Sequence, residues 1–227
     1  MLFAAIALAQ VSVTPAHRLQ DQWWRERHEA CVAKTKKGGY DLIFIGDSIT
    51  HGWEGDGKAT WDKYYASRNA ANFGFSGDRT EHVLWRMENG EMVGLKPKVA
   101  VIMIGTNNIG HGSSDPAATA LGIRRILVRL EETMPKTKVL LLGIFPRGAT
   151  AADPYRQKVA EATGTIAGFA DKRVTFLDIG RHFMTRDGDM WKTLMPDLLH
   201  PNADGYQIWA KAMEPTLAGL LGEKPRL

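Results

Sequence analysis

Short, nearly uninterrupted apolar runs recur along the chain and alternate with longer segments of amphipathic character. An apolar run without polar alternation is typical of a strand that is covered on both faces. Five runs have this character: Asp41–Gly46, Ala70–Phe75, Val99–Gly105, Lys138–Phe145 and Val174–Asp178. Their alternation with helical segments predicts an α/β domain in which helices cover both faces of a parallel sheet.

The helical segments lie between these runs and at either end of the series. Aspartate followed by proline, as at Asp115-Pro116, favours the start of a helix. We predict helices over His17–Lys36, Lys58–Ser67, Arg79–Asn89, Asp115–Met134, Tyr155–Ala170 and from about Ala203 to Leu221. The sequence contains no internal repeat, low-complexity tract or long linker that would divide it.

The length of 227 residues and the 44% hydrophobic content suit one domain, which we expect over residues 17–227. Residues 1–16 are expected to be the remnant of a signal or an N-terminal arm. Met1–Ala9 is apolar, ends in small residues and precedes the polar Gln10, which resembles the apolar region and cleavage site of a secretory signal. A signal predicts a secreted or periplasmic protein, whereas an arm is compatible with a cytoplasmic one. We expect no membrane-spanning segment, since this stretch is too short.

Charge and cysteine content exclude several classes of protein. Lys and Arg number 29 and Asp and Glu 25, which gives a net charge of +4 without a long basic run. A nucleic-acid-binding protein usually concentrates its basic residues, so we expect no nucleic-acid partner. Cys31 is the only cysteine, and the histidines lack neighbours at ligand spacing. We therefore expect neither a metal nor another cofactor.

Small, polar and titratable residues follow the predicted strands, where ligands bind in parallel α/β sheets. Residues 46–48 (Gly-Asp-Ser) follow the first run, 76–78 (Ser-Gly-Asp) the second and 106–108 (Thr-Asn-Asn) the third. A further polar segment, residues 197–202, precedes the last helix. The sequence therefore predicts a functional site at the carboxyl edge of the sheet.

Ser48, His200 and Asp197 are candidates for a catalytic triad. A serine hydroxyl becomes a good nucleophile only when a base removes its proton. Asp197 lies three residues before His200, so it can accept the Nδ1 proton while Nε2 faces the serine. Taken singly, the serine could cap a helix, the aspartate could be a capping or solvated group and the histidine could be a partly buried polar residue. The three together favour catalysis.

Acyl transfer also requires hydrogen-bond donors directed at the oxygen that becomes negative in the transition state. The backbone amides of Ser48 and Gly77 and the side-chain amide of Asn107 are the candidates. The alternatives are that Gly77 only forms a turn and that Asn107 only caps a loop.

Four segments in order resemble the sequence blocks of the SGNH (GDSL-type) hydrolase superfamily. They are GDSIT (Gly46–Thr50), NFGFSGD (Asn72–Asp78), GTNN (Gly105–Asn108) and DLLHPN (Asp197–Asn202). The resemblance covers most of the chain from about Tyr40. It implies a flavodoxin-like three-layer α/β/α sandwich with a five-stranded parallel sheet, and it implies the catalytic and oxyanion roles just described.

The resemblance extends to the catalytic subunits of intracellular platelet-activating-factor acetylhydrolases and their bacterial relatives. It is carried there by HVLWRMENGE (His82–Glu91), KPK (Lys96–Lys98) and FPRG (Phe145–Gly148). Residues 50–53 are more similar to bacterial carbohydrate O-acetyl esterases. We therefore expect an esterase that releases short acyl groups, chiefly acetyl, from carbohydrates. The alternatives are a lipid acylhydrolase of the platelet-activating-factor acetylhydrolase type and a non-catalytic carbohydrate-binding module.

Bulky and basic residues near the predicted site are candidates for substrate contact. His51, Trp53 and Phe75 are expected to line the pocket and to keep its acyl side small. Arg79 and Arg147 are expected either to contact substrate or to hold the loops at the strand ends through carboxylates. We expect a small-molecule or glycan ester as partner, and the sequence leaves a homodimer open.

Overall fold

Five parallel strands form the sheet, and each lies within one of the predicted apolar runs. In this computed structural model, which describes residues 10–226, the strands follow the order β2-β1-β3-β4-β5. Their bounds are Leu42–Gly46 (β1), Ala70–Gly74 (β2), Val99–Met103 (β3), Lys138–Leu142 (β4) and Val174–Leu177 (β5). This is the strand order of flavodoxin-like folds, so the predicted fold class is confirmed.

Helices cover both faces of the sheet. They are Gln22–Lys37 (α1), Ser48–His51 (α2), Lys58–Tyr64 (α3), Thr80–Glu88 (α4), Thr106–Gly110 (α5), Pro116–Thr133 (α6), Pro154–Ala167 (α7) and Ala203–Leu221 (α8). The even-numbered apolar residues of β1 face α2, α3 and α8, whereas the odd-numbered ones face α1, α4, α6 and α7. This alternation buries β1 on both sides, as its uninterrupted apolar sequence predicts.

Side-chain caps fix where several helices begin. The carboxylate of Asp115 accepts a hydrogen bond from the amide of Ala118 at 2.7 Å, and Asp153 caps α7 in the same way before Pro154. The first helix differs from its prediction, because it begins at Gln22 and not at His17. Residues 15–21 instead run over the surface of the domain, which allows Arg18 to reach the turn after β2.

The described part of the predicted N-terminal arm, residues 10–16, packs against the domain. The carbonyl oxygen of Ser12 accepts a hydrogen bond from Thr80 Oγ1 at 2.9 Å, and the amide of Ala16 donates to the carbonyl oxygen of Glu81 at 3.1 Å. Met1–Ala9 lies outside the described residues, so the signal stays a prediction. Within residues 10–226, no helix has the length and apolar character needed to cross a membrane.

Candidate active site

Ser48 stands at the first position of α2, directly beyond the carboxyl end of β1. Asp47 is buried, and its Oδ1 accepts a hydrogen bond from the amide of Ile49 at 3.0 Å. A Cβ atom on Gly46 would overlap Thr50 Oγ1 within the turn and the carbonyl oxygen of Met103 on the neighbouring strand β3. A glycine and a capping aspartate thus turn the chain sharply enough to present the Ser48 hydroxyl at the end of the sheet.

The Ser48 hydroxyl meets the His200 ring. Ser48 Oγ lies 2.8 Å from His200 Nε2, and His200 Nδ1 lies 2.6 Å from Asp197 Oδ2. The carboxylate accepts the Nδ1 proton, which leaves the Nε2 lone pair free to accept the proton of the serine hydroxyl. The three residues are therefore arranged for transfer of a proton from serine to histidine.

The carboxylate of Asp197 is held from two directions. Its Oδ1 accepts hydrogen bonds from the amides of Leu199 and His200, at 3.0 and 2.7 Å, while its Oδ2 binds the His200 ring. Burial acts to raise the pKa of Asp197, but these hydrogen bonds outweigh it, and the net pKa lies below its usual value. Asp197 is thus an ionised carboxylate at neutral pH.

The tight loop that carries the acid and the base includes a strained residue. Leu198 has a φ of 65°, in the left-handed region that non-glycine residues rarely adopt. Its carbonyl oxygen accepts a hydrogen bond from the amide of Gly148 at 3.0 Å, which ties the loop to the segment after β4. Backbone strain of this kind persists where surrounding contacts fix the conformation.

The candidate oxyanion donors follow three neighbouring strands. Gly46 of β1 pairs with Gly74 of β2 and Met103 of β3, so Ser48, Gly77 and Asn107 leave adjacent strand ends. Gly77 has a φ of 76°, which favours glycine. Asn107 is 6% exposed, and its Nδ2 donates to the carbonyl oxygen of Asp78 at 3.0 Å. An amide nitrogen carries two protons, and the hydrogen bond to Asp78 uses one of them.

Ser48 and His200 line a cleft of about 610 Å³. Most of the residues that line it carry polar side chains; the lining consists of Ser48, His51, Gly52, Glu54, Gly55, Asp56, Ser76, His200, Pro201 and Tyr206. His51, one of the predicted substrate residues, lies in it, and its Nδ1 is 3.0 Å from Ser76 Oγ. Burial, helped by the charge of Arg27, lowers the pKa of His51, which favours a neutral ring in this wall.

Trp53 and Phe75 do not line the cleft, so the prediction that they form its walls is wrong. Both are completely buried. A turn of 3₁₀ helix at Gly52–Glu54 directs Trp53 inward, where its ring packs 4.6 Å from that of Tyr206. Phe75 lies beneath the guanidinium group of Arg86, at 3.9 Å from the ring centroid. The apolar character that suggested pocket walls instead buries both rings in the core.

Arg147 holds the strand-end segment that bears Asn107. Its Nη1 donates to the carbonyl oxygen of Thr106 at 3.0 Å, and its guanidinium group lies over the ring of Tyr155. A Cβ atom on Gly110 would overlap the same guanidinium group. One of the two expectations for Arg147 was that it holds a loop at a strand end through a carboxylate. It does hold such a segment, but it does so by donating to the backbone carbonyl oxygen of Thr106.

Arg79 lies in a second cavity, of about 340 Å³, together with Gly77. Its Nε is 2.7 Å from Glu81 Oε1. Arg79 does not line the cleft that contains Ser48. Contact with a substrate at Ser48 would thus require the substrate to extend past the Gly77 turn.

Sequence reasoning missed three residues beside the site. Tyr206 donates a hydrogen bond to the carbonyl oxygen of Ile49 at 2.7 Å and fills the space beside Gly52. Trp23 stacks on His51, with 6.5 Å between the ring centroids. Arg18 donates to the carbonyl oxygen of Ser76. Arg18 and Trp23 lie well before the first of the four blocks, and Tyr206 lies four residues after the last. Their proximity to the site depends on the tertiary fold and leaves no local sequence pattern.

The residues that the structure describes contain no group of three His, Cys, Asp or Glu side chains that could hold a metal ion. The thiol of Cys31 is buried, and burial raises its pKa to about 11. It is therefore a protonated core residue at neutral pH.

Comparison with known proteins agrees with this fold. Residues 44–208 match the GDSL-like lipase/acylhydrolase family, and this chain belongs to that family of ester hydrolases. It is 34% identical to subunit alpha1 of human platelet-activating factor acetylhydrolase IB over 216 residues, which cover 92% of this chain and 90% of that protein. The rat alpha2 subunit is 34% identical over 207 residues, covering 90% and 88%.

Solved structures show the same fold. A GDSL-like lipase from Bacteroides thetaiotaomicron superposes with a TM-score of 0.71 at 18% identity, covering 85% of this chain and 97% of that one. An acetylxylan esterase from Geobacillus stearothermophilus superposes with a TM-score of 0.63 at 20% identity, covering 82% and 96%.

Proposed function

We propose that this chain is a serine esterase that removes short acyl groups, chiefly acetyl, from carbohydrates. The observation that carries the proposal is the continuous hydrogen-bonded series from Ser48 Oγ to His200 Nε2 and from His200 Nδ1 to Asp197 Oδ2. Ser48 and His200 line a cleft that is large enough for a sugar ring.

The first half of the reaction forms an acyl-enzyme. Ser48 Oγ attacks the carbonyl carbon of the ester, and its proton passes to His200 Nε2. The amides of Ser48, Gly77 and Asn107 stabilise the negative oxygen of the tetrahedral intermediate. The bond to the alcohol oxygen then breaks, and His200 returns its proton to that oxygen. Asp197 stabilises the imidazolium ring while it carries the proton.

The second half of the reaction hydrolyses the acyl-enzyme. His200 removes a proton from water, the water oxygen attacks the acyl carbon, and the same oxyanion donors hold the second intermediate. Its collapse breaks the bond to Ser48 Oγ, which regains its proton from His200. The products are the free acid and the unmodified serine.

The character of the cleft supports a carbohydrate as the alcohol. Polar groups in its lining can form hydrogen bonds with sugar hydroxyls. They are the hydroxyl of Ser76, the carboxylates of Glu54 and Asp56 and the imidazole of His51. Trp23, at 41% exposure, lies beside His51 and adds an aromatic surface of the kind on which sugar rings pack. The described lining contains no Leu, Ile, Val, Met or Phe side chain against which a long acyl chain could pack.

A lipid acylhydrolase is the second candidate, and the observation in its favour is the 34% identity to platelet-activating factor acetylhydrolase subunits. Both candidates release acetate, so the alcohol decides between them. The test compares kcat/KM for an acetylated xylo-oligosaccharide with kcat/KM for an acetylated ether phospholipid. A higher value for the oligosaccharide supports the proposal, and a higher value for the phospholipid overturns the carbohydrate assignment while leaving the triad in place.

A non-catalytic carbohydrate-binding module is the third candidate. A fluorophosphonate probe distinguishes it, because only an activated serine reacts with such a probe. Labelling of the wild type that is lost in Ser48→Ala supports an enzyme. Absence of labelling, together with binding of acetylated oligosaccharide without turnover, supports the binding module.

Location is a separate part of the proposal. A secreted or periplasmic enzyme would meet acetylated glycans, and Met1–Ala9 would direct its export. Intact-mass measurement of the protein from the native host tests this: a mature chain that lacks Met1–Ala9 supports export, whereas a chain that keeps these residues in the cytoplasm contradicts it.

A further inference from the structure

The second cavity, beside Gly77, is lined by basic side chains. Arg18, Arg79, His17, His82 and His111 contribute to its wall, with Ala16, Gln20 and Gly77 completing it. These groups come from the segment before α1, from α4 and from the end of α5. The cavity is therefore formed by three separate parts of the fold that converge beside one of the proposed oxyanion donors.

His82 and Arg79 face each other in this cavity as two donors without an acceptor between them. His82 Nδ1 accepts a hydrogen bond from the backbone amide of Arg79 at 3.0 Å, so the ring proton must lie on Nε2. His82 Nε2 is 3.5 Å from Arg79 Nη2, which can also act only as a hydrogen-bond donor. Burial, with the charges of Arg79 and Arg18, lowers the pKa of His82 to about 3, which keeps the ring neutral.

His82 is only 4% exposed, so its Nε2 donor is a buried polar group that lines the cavity. A buried donor without an acceptor is costly, typically by about 1–3 kcal/mol. An oxygen atom that accepts from both His82 Nε2 and Arg79 Nη2 would remove this cost. The geometry thus favours a ligand with closely spaced acceptor oxygens.

Three carboxylates outside the cavity lining contact its arginines: Asp21 Oδ2 and Asp78 Oδ1 accept hydrogen bonds from Arg18 at 3.1 and 3.4 Å, and Glu81 contacts Arg79. Asp78 accepts from Trp24 Nε1 at 2.8 Å and from Arg86 Nε at 2.9 Å. Glu81 Oε2 accepts from Asn108 Nδ2 at 3.1 Å. Glu81 Oε1 approaches Arg79 Nε but without the alignment of a hydrogen bond. The cavity lining contains no carboxylate among the residues described.

The turn at residues 76–77 connects the two cavities. Ser76 lines the cleft that contains Ser48, and Gly77 lines the basic cavity. We propose that this basic cavity binds an anionic substituent, a carboxylate or a phosphate, on the alcohol part of the ester. The inference rests on the proposed function, because it places the carbonyl oxygen of the substrate at the Gly77 amide. It narrows the substrate from acetylated alcohols in general to acidic ones.

Matched acetyl esters test this inference. The anionic members are 3- and 4-acetoxybenzoate and 4-acetoxyphenyl phosphate, and the neutral member is 4-acetoxybenzamide. Each kcat/KM is divided by the rate constant for hydroxide-catalysed hydrolysis of the same ester, which removes differences in leaving-group reactivity. For the wild type we expect a corrected ratio of anionic to neutral ester well above one.

Variants of the cavity locate the effect. Arg79→Gln should lower this ratio by about tenfold or more, since a charge-assisted hydrogen bond is lost. His111→Glu, at an exposed position of the wall, should also lower it by placing a carboxylate at the cavity. Arg125→Gln has the same charge change as Arg79→Gln but lies on the exposed face of α6, and it should keep the wild-type ratio.

The outcomes separate this inference from the proposed function. If both kinds of ester are hydrolysed and the ratio is one or less, or is unchanged in Arg79→Gln and His111→Glu, the anion site is wrong and the esterase stands. If neither kind is hydrolysed, the proposed esterase function is wrong, and a binding measurement then tests the anion site by itself. Calorimetric titration of Ser48→Ala with inorganic phosphate should then give binding that Ser48→Ala/Arg79→Gln loses, and absence of phosphate binding to Ser48→Ala overturns the inference.

Discussion

Arg18 Nη1 lies 2.8 Å from the backbone carbonyl oxygen of Ser76 and donates a hydrogen bond to it. Arg18 belongs to the segment before α1, whereas Ser76 belongs to the turn that contains Gly77, a proposed oxyanion donor. A Cβ atom on Gly77 would lie 2.9 Å from the same guanidinium group. The N-terminal segment thus packs directly on the active-site turn.

Arg18→Gln should therefore lower kcat for a small neutral ester, 4-nitrophenyl acetate, by about tenfold, with little change in KM. The reason is that a loosened turn misplaces a donor that acts chiefly in the transition state. Arg25→Gln is the matched control, since Arg25 donates to the carbonyl oxygen of Leu19 and does not touch the turn. Equal kcat values for Arg18→Gln and Arg25→Gln would show that Arg18 has no positioning role.

Asn107→Ala should lower kcat/KM for 4-nitrophenyl acetate by about 10²–10³-fold, the usual cost of losing one oxyanion donor. Its Tm should fall only modestly, because the lost protein contact is a single hydrogen bond to the carbonyl oxygen of Asp78. Kinetics and thermal unfolding of the same preparation check both points. Retention of more than half of the wild-type kcat/KM would remove Asn107 from the mechanism.

Asp47→Asn should stabilise the protein at alkaline pH. Burial, with the nearby charge of Asp78, raises the pKa of Asp47 to about 7, despite the hydrogen bond from the amide of Ile49. The folded pKa lies above the unfolded one, so the folded carboxyl keeps a proton that the unfolded one releases. Its contribution to stability is full below about pH 4 and is lost as the pH rises through 7.

Urea unfolding at pH 5 and pH 8 measures this effect. The free energy of unfolding of Asp47→Asn minus that of the wild type should be more positive at pH 8 than at pH 5, by on the order of 1–3 kcal/mol. Asp41→Asn, at the surface, is the matched control for the loss of a carboxylate. The same difference at both pH values for Asp47→Asn would contradict a raised pKa.

Acyl-chain length should affect kcat/KM steeply, with a fall of about tenfold or more from acetyl to butyryl 4-nitrophenyl esters and a further fall to octanoyl. The sequence-based reason for this expectation, a pocket walled by Trp53 and Phe75, does not hold because both are buried. The structural reason is that the described lining of the cleft contains no Leu, Ile, Val, Met or Phe side chain against which added methylene groups could pack. A preference for octanoyl over acetyl esters would contradict it.

The sequence predicted the sheet well because apolar runs report burial directly. It predicted strand ends less well, since burial continues after strand pairing has stopped. Ile104 and Phe145, for example, are buried but lie beyond β3 and β4. Hydrophobic pattern alone cannot distinguish a paired residue from a buried loop residue.

At the site, the sequence predicted residues that carry their own chemistry, such as Ser48 and His200. It misjudged large apolar residues near them, because Trp53 can face either a cleft or the core and only packing decides which. It missed Arg18, whose contact with Ser76 spans 58 positions in the chain. Contacts of that kind depend on the tertiary fold and leave no local pattern.

The most direct test of the central claim is to identify the residue that becomes acylated. Wild-type protein is mixed with 4-nitrophenyl acetate, quenched in acid within the pre-steady-state burst, digested and examined by mass spectrometry. We predict one added acetyl group on Ser48, its absence from Ser48→Ala, and a loss of turnover in that variant by several powers of ten. An acetyl group on another residue, or Ser48→Ala that turns the ester over at the wild-type rate, would contradict the assignment of Ser48 as the nucleophile.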